Sequence, residues 1–579
     1  MKFESRITAK LVLFILLLST VSTLANRSSS QPISRTIYIR ENGRVFPPDA
    51  PIKWEGGVYY LTGDIEAIGG DGVVIEADNV VIDGRGHRVK GDMTSHAAGV
   101  LIQGRLNIVI KNLKVESFHY GIRMLNSQEV SVVNSTIIGC TEGVSAASSS
   151  RMKIYGGVMI RNVAGVNVFH SESLDVIYTE IRDGIWGAYL SHSPGSRVVS
   201  NTITNASWAV ILLSSPKVTL IGNEFIGCGI YLSDSEGNIV ANNTVNGKPL
   251  IYMENSTDFT VKEAGQIVLL RCRRVNITGL NISKTSVGII LWKTNETVVD
   301  SSRITGNNWG ILLYKSSNNT VTKSIVKGNA VGVYLYESTG NRISWNIHYR
   351  NDLGLWLACS SSNFVYGNCF VMNRQQANAG CGENEWEYVK QGGNYWSDWI
   401  DTDADEDGFI DEPYRVGWGN IDEKPITVCP LAHLLDLPPV ACTLRPLLNG
   451  TKATVGEYFL VKVEVVSPQL VKAVRFATPG FSTGWFRWVK SEDIWNASEK
   501  TVKLMPFSLG EFKIEAEVKD VAGRLTHCTT IVEVEGQAPE TDNRTHVTEI
   551  IVIVAVTGPA AALLIFKKKL QRFRRRKIP

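Results

Sequence analysis

Soft metal ligands are scarce in this chain: 579 residues include 9 histidines, 8 methionines and 9 cysteines. No C-x-x-C occurs, which argues against a zinc knuckle or a thiol-redox motif. The histidines and methionines are mostly scattered, so copper, which needs clustered soft or borderline donors, is not expected. Net charge is nearly absent, with Lys+Arg 59 against Asp+Glu 56 giving +3. At 44% apolar and 20% charged residues the composition is that of a folded protein rather than a disordered one.

What charge there is sits at the ends. Lys2, Arg6 and Lys10 precede LVLFILLLSTVSTLA, and Thr23 and Ala25 supply small residues for cleavage, the form of a secretory signal over residues 1–25. Near the other end, Ile550 to Phe566 form an apolar run followed by KKKLQRFRRRK. That length is about the minimum for a membrane helix, expected over 549–566, and the basic tail 567–579 marks the cytoplasmic side. The expected placement is therefore the cell membrane, single-pass, with the N-terminal part extracellular or periplasmic. The tail carries +8 and the leader +2, which leaves −7 for the exported part. A nucleic-acid partner is not expected, because its phosphates demand a cationic face. Twelve Asn-x-Ser/Thr sequons, Asn281 among them, accord with an exported glycoprotein.

Between the ends runs a repeat. Gly99, Gly121, Gly143, Gly165 and Gly187 are 22 apart, Ala209 keeps the phase, Gly229 slips by two, and Gly288, Gly310, Gly332 and Gly354 resume the step. After each marker the first and third residues are apolar, as in Val100 and Ile102 or Ile311 and Leu313, the alternation of a half-buried strand. Helix-forming stretches are absent and the bends are rich in Asn and Gly. The expected fold is all-β: a right-handed parallel β-helix of about 13 rungs, roughly 60 Å long at the spacing of hydrogen-bonded strands. Asn307, Asn329, Asn351 and Asn373 form one column at the repeat step, and Asn201, Asn223 and Asn243 another once the two-residue slip is allowed. Stacked amides of this kind hold bends.

The runs TIYIRENGRVFPPDAPIKWEGGVYYLTGDI, GVVIEADNVVIDGRGHRVKG, GKPLIYMENSTDFTVKEAGQIVLLRCRRVNITGLNIS and GNYWSDWIDTDADEDGFIDEPYRV together resemble the NosD-type parallel β-helix family over roughly residues 36 to 430. The resemblance implies the coil and kinship with carbohydrate-binding proteins and sugar hydrolases built on it. The namesake is a periplasmic accessory protein implicated in supplying copper to nitrous oxide reductase.

The expected organisation is an N-terminal cap over 26–70, the coil over 71–373 and a C-terminal cap over 374–435. An immunoglobulin-like β-sandwich over 436–535, in which Cys442 and Cys528 can pair, leads to a linker over 536–548. Cys369 and Cys381 are expected to pair locally. In the C-terminal cap, Asp403, Asp405, Asp407, Gly408 and Asp411 match D-x-D-x-D-G-x-x-D. Alternate carboxylates converge, Gly permits the turn and the Phe409 carbonyl adds an oxygen, which points to structural calcium. Tyr414 stands where a full loop would place its bidentate Glu.

Three further constellations bear on function. His170 and His192 stack one repeat apart and could share a metal, although a tolerant turn position explains them as well. Glu180 and Glu224, with Asp183 close by, could form an inverting carboxylate pair about 10 Å apart. Lastly, outward positions after the markers collect Trp292, Tyr314, Tyr334, Tyr336 and Trp356 with Ile290 and Leu312. That is more apolar surface than a monomer leaves in water, so either the cap covers it or it binds a ligand. The function expected from these features is that of a membrane-anchored surface module binding glycans or surface proteins. Polysaccharide cleavage and copper handling are the alternatives.

Overall fold

The computed structural model describes residues 36–536 except 94–95, 389–391, 400–402, 449–450, 456, 468–469, 479–480, 483–485, 488–498, 505 and 507–509, together with Val552–Val554 and Leu564–Phe566. The expected signal 1–25 and tail 567–579 lie outside the described residues. The chain is all-β, a coil of about 15 turns with a single short 3-10 helix among the described residues, Ala432–Leu434.

Each turn gives one strand to each of three sheets, and neighbouring turns pair in parallel at equal register. Ile122 lies between Val100 and Val144, Val132 between Ile110 and Ile154, and Val115 beside Ile137. All of these side chains are buried, so the apolar alternation in the sequence becomes a continuous core along the axis. The marker glycines are required by close approach: a methyl at Gly121 or Gly310 would collide with the carbonyl of Gly143 or Gly332 on the next turn. The bends form columns of left-handed backbone, one running through Asn112, Asn134, Gly156, Tyr178, Ser200 and Gly222.

The asparagine columns carry bonds along the axis. Asn307 Nδ2 donates to Asn329 Oδ1 at 3.0 Å, Asn329 to Asn351 at 2.9 Å and Asn351 to Asn373 at 2.9 Å. Asn201, Asn223 and Asn243 do the same at 3.0 and 2.8 Å. Two further ladders went unread in the sequence: Asn319, Asn341, Asn363, Asn384, Asn420, and Asn346, Asn368, Asn394, Asp422. Buried amides satisfied this way remove the cost of desolvating them.

The coil is interrupted once, and the interruption decides the fate of the aromatic strip. Asn246 and Gly247 both have positive φ, 52° and 75°, the geometry of a tight hairpin turn. They reverse the chain so that Thr244–Val245 pairs antiparallel with Lys248–Glu254, Thr244 opposite Pro249. The strand Lys248–Glu254 then pairs in parallel with Gln266–Leu270 and starts a second coil. One 16-stranded sheet therefore runs through both coils.

Its side that lines the interior of the first coil becomes the exterior of the second. Val268, Leu270, Ile290, Trp292, Leu312, Tyr314 and Tyr334 accordingly join the first coil's core cluster. Trp292 is 0% exposed, Tyr334 3% and Tyr314 9%, so they are not a free ligand face. The cap does not cover them; they close the open end of the first coil, and only Tyr336 and Trp356 farther along remain half-exposed. Trp208 and Tyr231 from the first coil pack edge-on against Trp309 at 5.3 and 5.5 Å. The Gln266 side chain accepts from Ile230 N–H at 2.8 Å and donates to its carbonyl at 2.7 Å, which covers an edge that would otherwise be bare.

Other boundaries shift as well. Ile37–Ile39, Val58–Leu61 and Ile65–Glu66 already supply strands to the three sheets, so coil begins inside the segment expected as a cap. At the far end Gln375–Ala379 and Tyr395–Trp396 prolong two of the sheets. Counting only glycine markers missed these turns, whose entry positions hold other residues.

Beyond the coil two sheets face each other around a shared core that includes Val461, Val463, Val474, Ile514, Val518 and Val532. Cys442 and Cys528 are joined by a disulfide. Cys369 pairs with Cys429, not with Cys381 as expected; Cys369 points out of the coil toward the incoming chain, and Cys381 lies on another column. Lys472 is buried and donates to the Trp396 carbonyl at 2.9 Å, and Tyr395 Oη donates to the Val521 carbonyl at 3.0 Å, docking the two sheets on the coil's end. No described helix is long and apolar enough to cross a membrane. Most of 549–566 lies outside the described residues; Val552–Val554 and Leu564–Phe566 within it are short strands, the former pairing with Glu499–Leu504.

Candidate functional site

The acidic stretch is a compact loop on the coil's closing segment. Carboxylate oxygens of Asp403, Asp405 and Asp407 all lie within 4.8 Å of one another. Asp403 Oδ2 accepts from Gly408 N–H at 3.1 Å, Asp407 Oδ1 from Phe409 N–H at 2.9 Å, and Asp411 Oδ2 reaches back to Ala404 N–H at 2.9 Å. Gly408 permits the turn with φ 92°. The single bridge between Phe409 and Ile426 is made by Ile410 N–H on the Pro425 carbonyl and Thr427 N–H on the Gly408 carbonyl. Neither bond uses the Phe409 carbonyl. Asp403 Oδ1 is shielded from solvent and has no hydrogen-bond partner, and the field of Asp403 reaches Lys519 across the junction with the two-sheet region. The donor set is all oxygen, which suits a hard cation.

The loop sits beside the keystone of the closing segment. Asp422 Oδ2 accepts from Asn394 N–H at 2.7 Å and Trp396 Nε1 at 2.8 Å, while its Oδ1 has no hydrogen-bond partner. Burial, only partly offset by these bonds, pushes its carboxyl up to about 7. Asn420 accepts from Trp386 Nε1 at 3.0 Å. Trp386 and Trp396, both 1% exposed, thus cover the end of the second coil's core while their N–H groups bond the ends of two ladders.

A groove of about 630 Å³ opens between the second coil and the segment carrying the 3-10 helix. Exposed Arg303 and Lys323, half-buried Trp345, Asn281 and Ser301 line its coil side, and Leu431 and Leu434 its other side. Ser301, Lys323 and Trp345 occupy successive left-handed bends, with φ 49°, 48° and 58°, which aims their side chains away from the core. Gly367 comes next in that column, and its missing side chain leaves room for the Trp345 ring. Among the described residues no carboxylate lines this groove. Sequence reasoning missed it because its walls, Trp345 and Leu431 at their nearest in sequence, are 86 residues apart, although the 22-residue step from Ser301 to Lys323 to Trp345 was there to be read.

The other predicted residues are not gathered into a site. Glu180 and Glu224 lie two turns apart with Thr202 between them. Glu180 pairs with Arg182 at 3.0 Å, and Asp183 accepts from Asn205 Nδ2 at 3.3 Å. None of the three lines the groove. His170 and His192 stack with ring centroids 4.6 Å apart and planes at 25°. Their in-plane lone pairs therefore run nearly side by side instead of meeting at one point. His192 Nδ1 also bonds Ser191 Oγ at 3.0 Å. Among the described residues the only group of three or more potential metal ligands is Asp403, Asp405 and Asp407.

The described coil is that of a right-handed β-helix protein. Two family profiles match it: periplasmic copper-binding protein (NosD) over residues 157–265 and 261–399, and right handed beta helix region over residues 63–186. No curated protein matches the chain. Among solved structures, the tailspike protein of E. coli bacteriophage HK620 in complex with a pentasaccharide is 9% identical at TM-score 0.29, covering 82% of this chain and 85% of that one. An alginate lyase, AlyF-OU02, is 11% identical at TM-score 0.25, covering 49% and 79%. DFA-IIIase from Arthrobacter chlorophenolicus is 10% identical at TM-score 0.22, and the match covers 44% of this chain and 66% of that enzyme, just under two thirds of its length. With TM-scores this low, none of them speaks to what this chain binds.

Proposed function

We propose that the protein is an exported, membrane-anchored binding module that holds acidic glycans in the groove between its second coil and the following segment, with a calcium ion fixing the closing loop. The observation that carries this reading is the groove's lining. Arg303 and Lys323 offer charge-assisted hydrogen bonds to carboxylate or sulfate groups, Trp345 offers a partly exposed ring for a sugar face, and Asn281 and Ser301 offer hydroxyl partners. Glycosidic hydrolysis uses a pair of carboxylates, and this lining has none among the described residues, which favours retention over hydrolysis. Copper handling has little to draw on, because the stacked histidines do not converge.

Calcium would take one oxygen each from Asp403, Asp405, Asp407 and Asp411 and the Phe409 carbonyl. It would neutralise carboxylates that otherwise repel one another by roughly 1 kcal/mol per close pair in water-like surroundings. The apolar run 549–566 and basic tail 567–579 support the anchor, and residues 436–535 a stalk.

The test is to pass purified protein over immobilised acidic and neutral polysaccharides, scoring both retention and chain length. Retention of acidic chains without shortening, weakened about tenfold or more by Arg303→Ala with Lys323→Ala, is expected. Shortened chains would replace this reading with the hydrolase or lyase one, and equal retention of neutral chains would remove the role given to the two cations.

A further inference from the structure

Of the nine cysteines, four are joined in the two disulfides and five carry free thiols. Cys140, Cys228 and Cys272 are buried and lie on separate turns, too far apart to reach one another. Cys359 and Cys381 differ from them in every respect. They are 22 residues apart, at the step of one turn, just beyond the register pairs Trp356 with Asn378 and Leu357 with Ala379. Both are exposed, and their thiols are within hydrogen-bonding reach of each other.

We propose that Cys359 and Cys381 form a third disulfide that staples one complete turn of the coil at its C-terminal end. Strands on adjacent turns run about 4.8 Å apart, inside the Cα separation of roughly 4.4 to 6.8 Å that a disulfide tolerates. No change of register is needed. Two disulfides already formed in the same part of the chain place it in an oxidising compartment. In bond formation each thiol gives up its hydrogen, one sulfur–sulfur bond forms, and two electrons and two protons pass to a disulfide-bearing oxidant, which leaves as its dithiol.

The surroundings favour a crosslink over the other uses of two thiols. The hydrogen bond from the neighbouring thiol, then burial and Glu337, hold the Cys359 proton up to about 11, far from the lowered values of catalytic dithiols. Among the described residues a soft cation would have only these two donors, because no third potential ligand groups with them. With the bond closed, all six cysteines from Cys359 onward are paired, and the three left over are those in the core.

The full-length protein, isolated without reductant, is denatured and alkylated, and its thiols are counted and mapped. Three labelled cysteines, Cys140, Cys228 and Cys272, with a peptide linking Cys359 to Cys381, are the expected result. Labelling of five cysteines, a link from either residue to any other cysteine, or blockage of the pair that a copper or zinc chelator relieves would each overturn the proposal. Cys359→Ser with Cys381→Ser should leave the count at three, which checks the mapping independently.

Discussion

Replacing Asp422 with Asn should stabilise the closing segment above neutrality and leave it nearly unchanged in acid. Asp422 is 0% exposed and ends a ladder that runs from Asn346 through Asn368 and Asn394. Burial raises its carboxyl from 3.8 to about 7. The folded state therefore holds a proton that the unfolded chain has lost between those values, so the contribution is fully present below pH ~4 and is lost as pH rises through ~7. At 1.36 kcal/mol per pKa unit the ceiling is ~4 kcal/mol.

The wild-type curve alone will not display this, because His348 works in the opposite sense over an overlapping window. Buried against Phe370 with Nδ1 on the Gly354 carbonyl at 3.1 Å, it is held down to about 4 by burial. Its stabilising contribution is present above ~6.5 and lost as pH falls toward ~4. The readout is accordingly the difference between D422N and wild type. The amide keeps an oxygen for Asn394 and Trp396, and any penalty from its new NH₂ group does not vary with pH. Melting temperatures followed by tryptophan fluorescence from pH 4.5 to 8 should show the gap moving in the variant's favour by several degrees. A gap that stays constant across that range would refute the reasoning.

Four other outcomes follow from the same geometry. Removing divalent ions with EGTA should lower the melting temperature and calcium should restore it, by ~2.7 kcal/mol at a hundredfold excess over the dissociation constant; Asp405→Asn should abolish the response in a calcium titration. Trp292→Ala should cost about 3–5 kcal/mol by opening a cavity between the coils, measured by denaturant unfolding, whereas half-exposed Trp356→Ala should cost clearly less. Asn329→Ala leaves the Asn307 backbone N–H and Nδ2 without their shared acceptor, at about 1–3 kcal/mol for each buried donor. Hydrogen exchange should then quicken near Asn307 before it does so near Asn201.

The sequence exposed what depends on a fixed step. Glycine markers, alternating core residues and the Asn307 column need only one vertical alignment, and the 22-residue spacing supplies it; the Asn201 column needs in addition the two-residue slip. Much of what stayed hidden depends on a change of direction, although the ladder from Asn319 through Asn341 to Asn363 keeps the 22-residue step and still went unread. The Asn246–Gly247 turn was present as a hairpin signal but was passed over, and one coil was carried through it, so the strip through Trp292 and Tyr314 looked like exterior instead of a plug. The Asp422 ladder was hidden because its last steps are 26 and 28 residues. The Cys369–Cys429 bond spans 60 residues and required knowing which way each thiol points.

The shared sheet also limits how the molecule can be divided or lengthened. Whole turns can be inserted within either winding without disturbing the other, since each new layer meets only its neighbours. A cut near Asn246 is different: the upstream fragment would lose its stopper and the downstream fragment would carry a bare aromatic wall. Neither half is expected to remain dispersed alone, so binding studies on this protein belong with both windings in one piece.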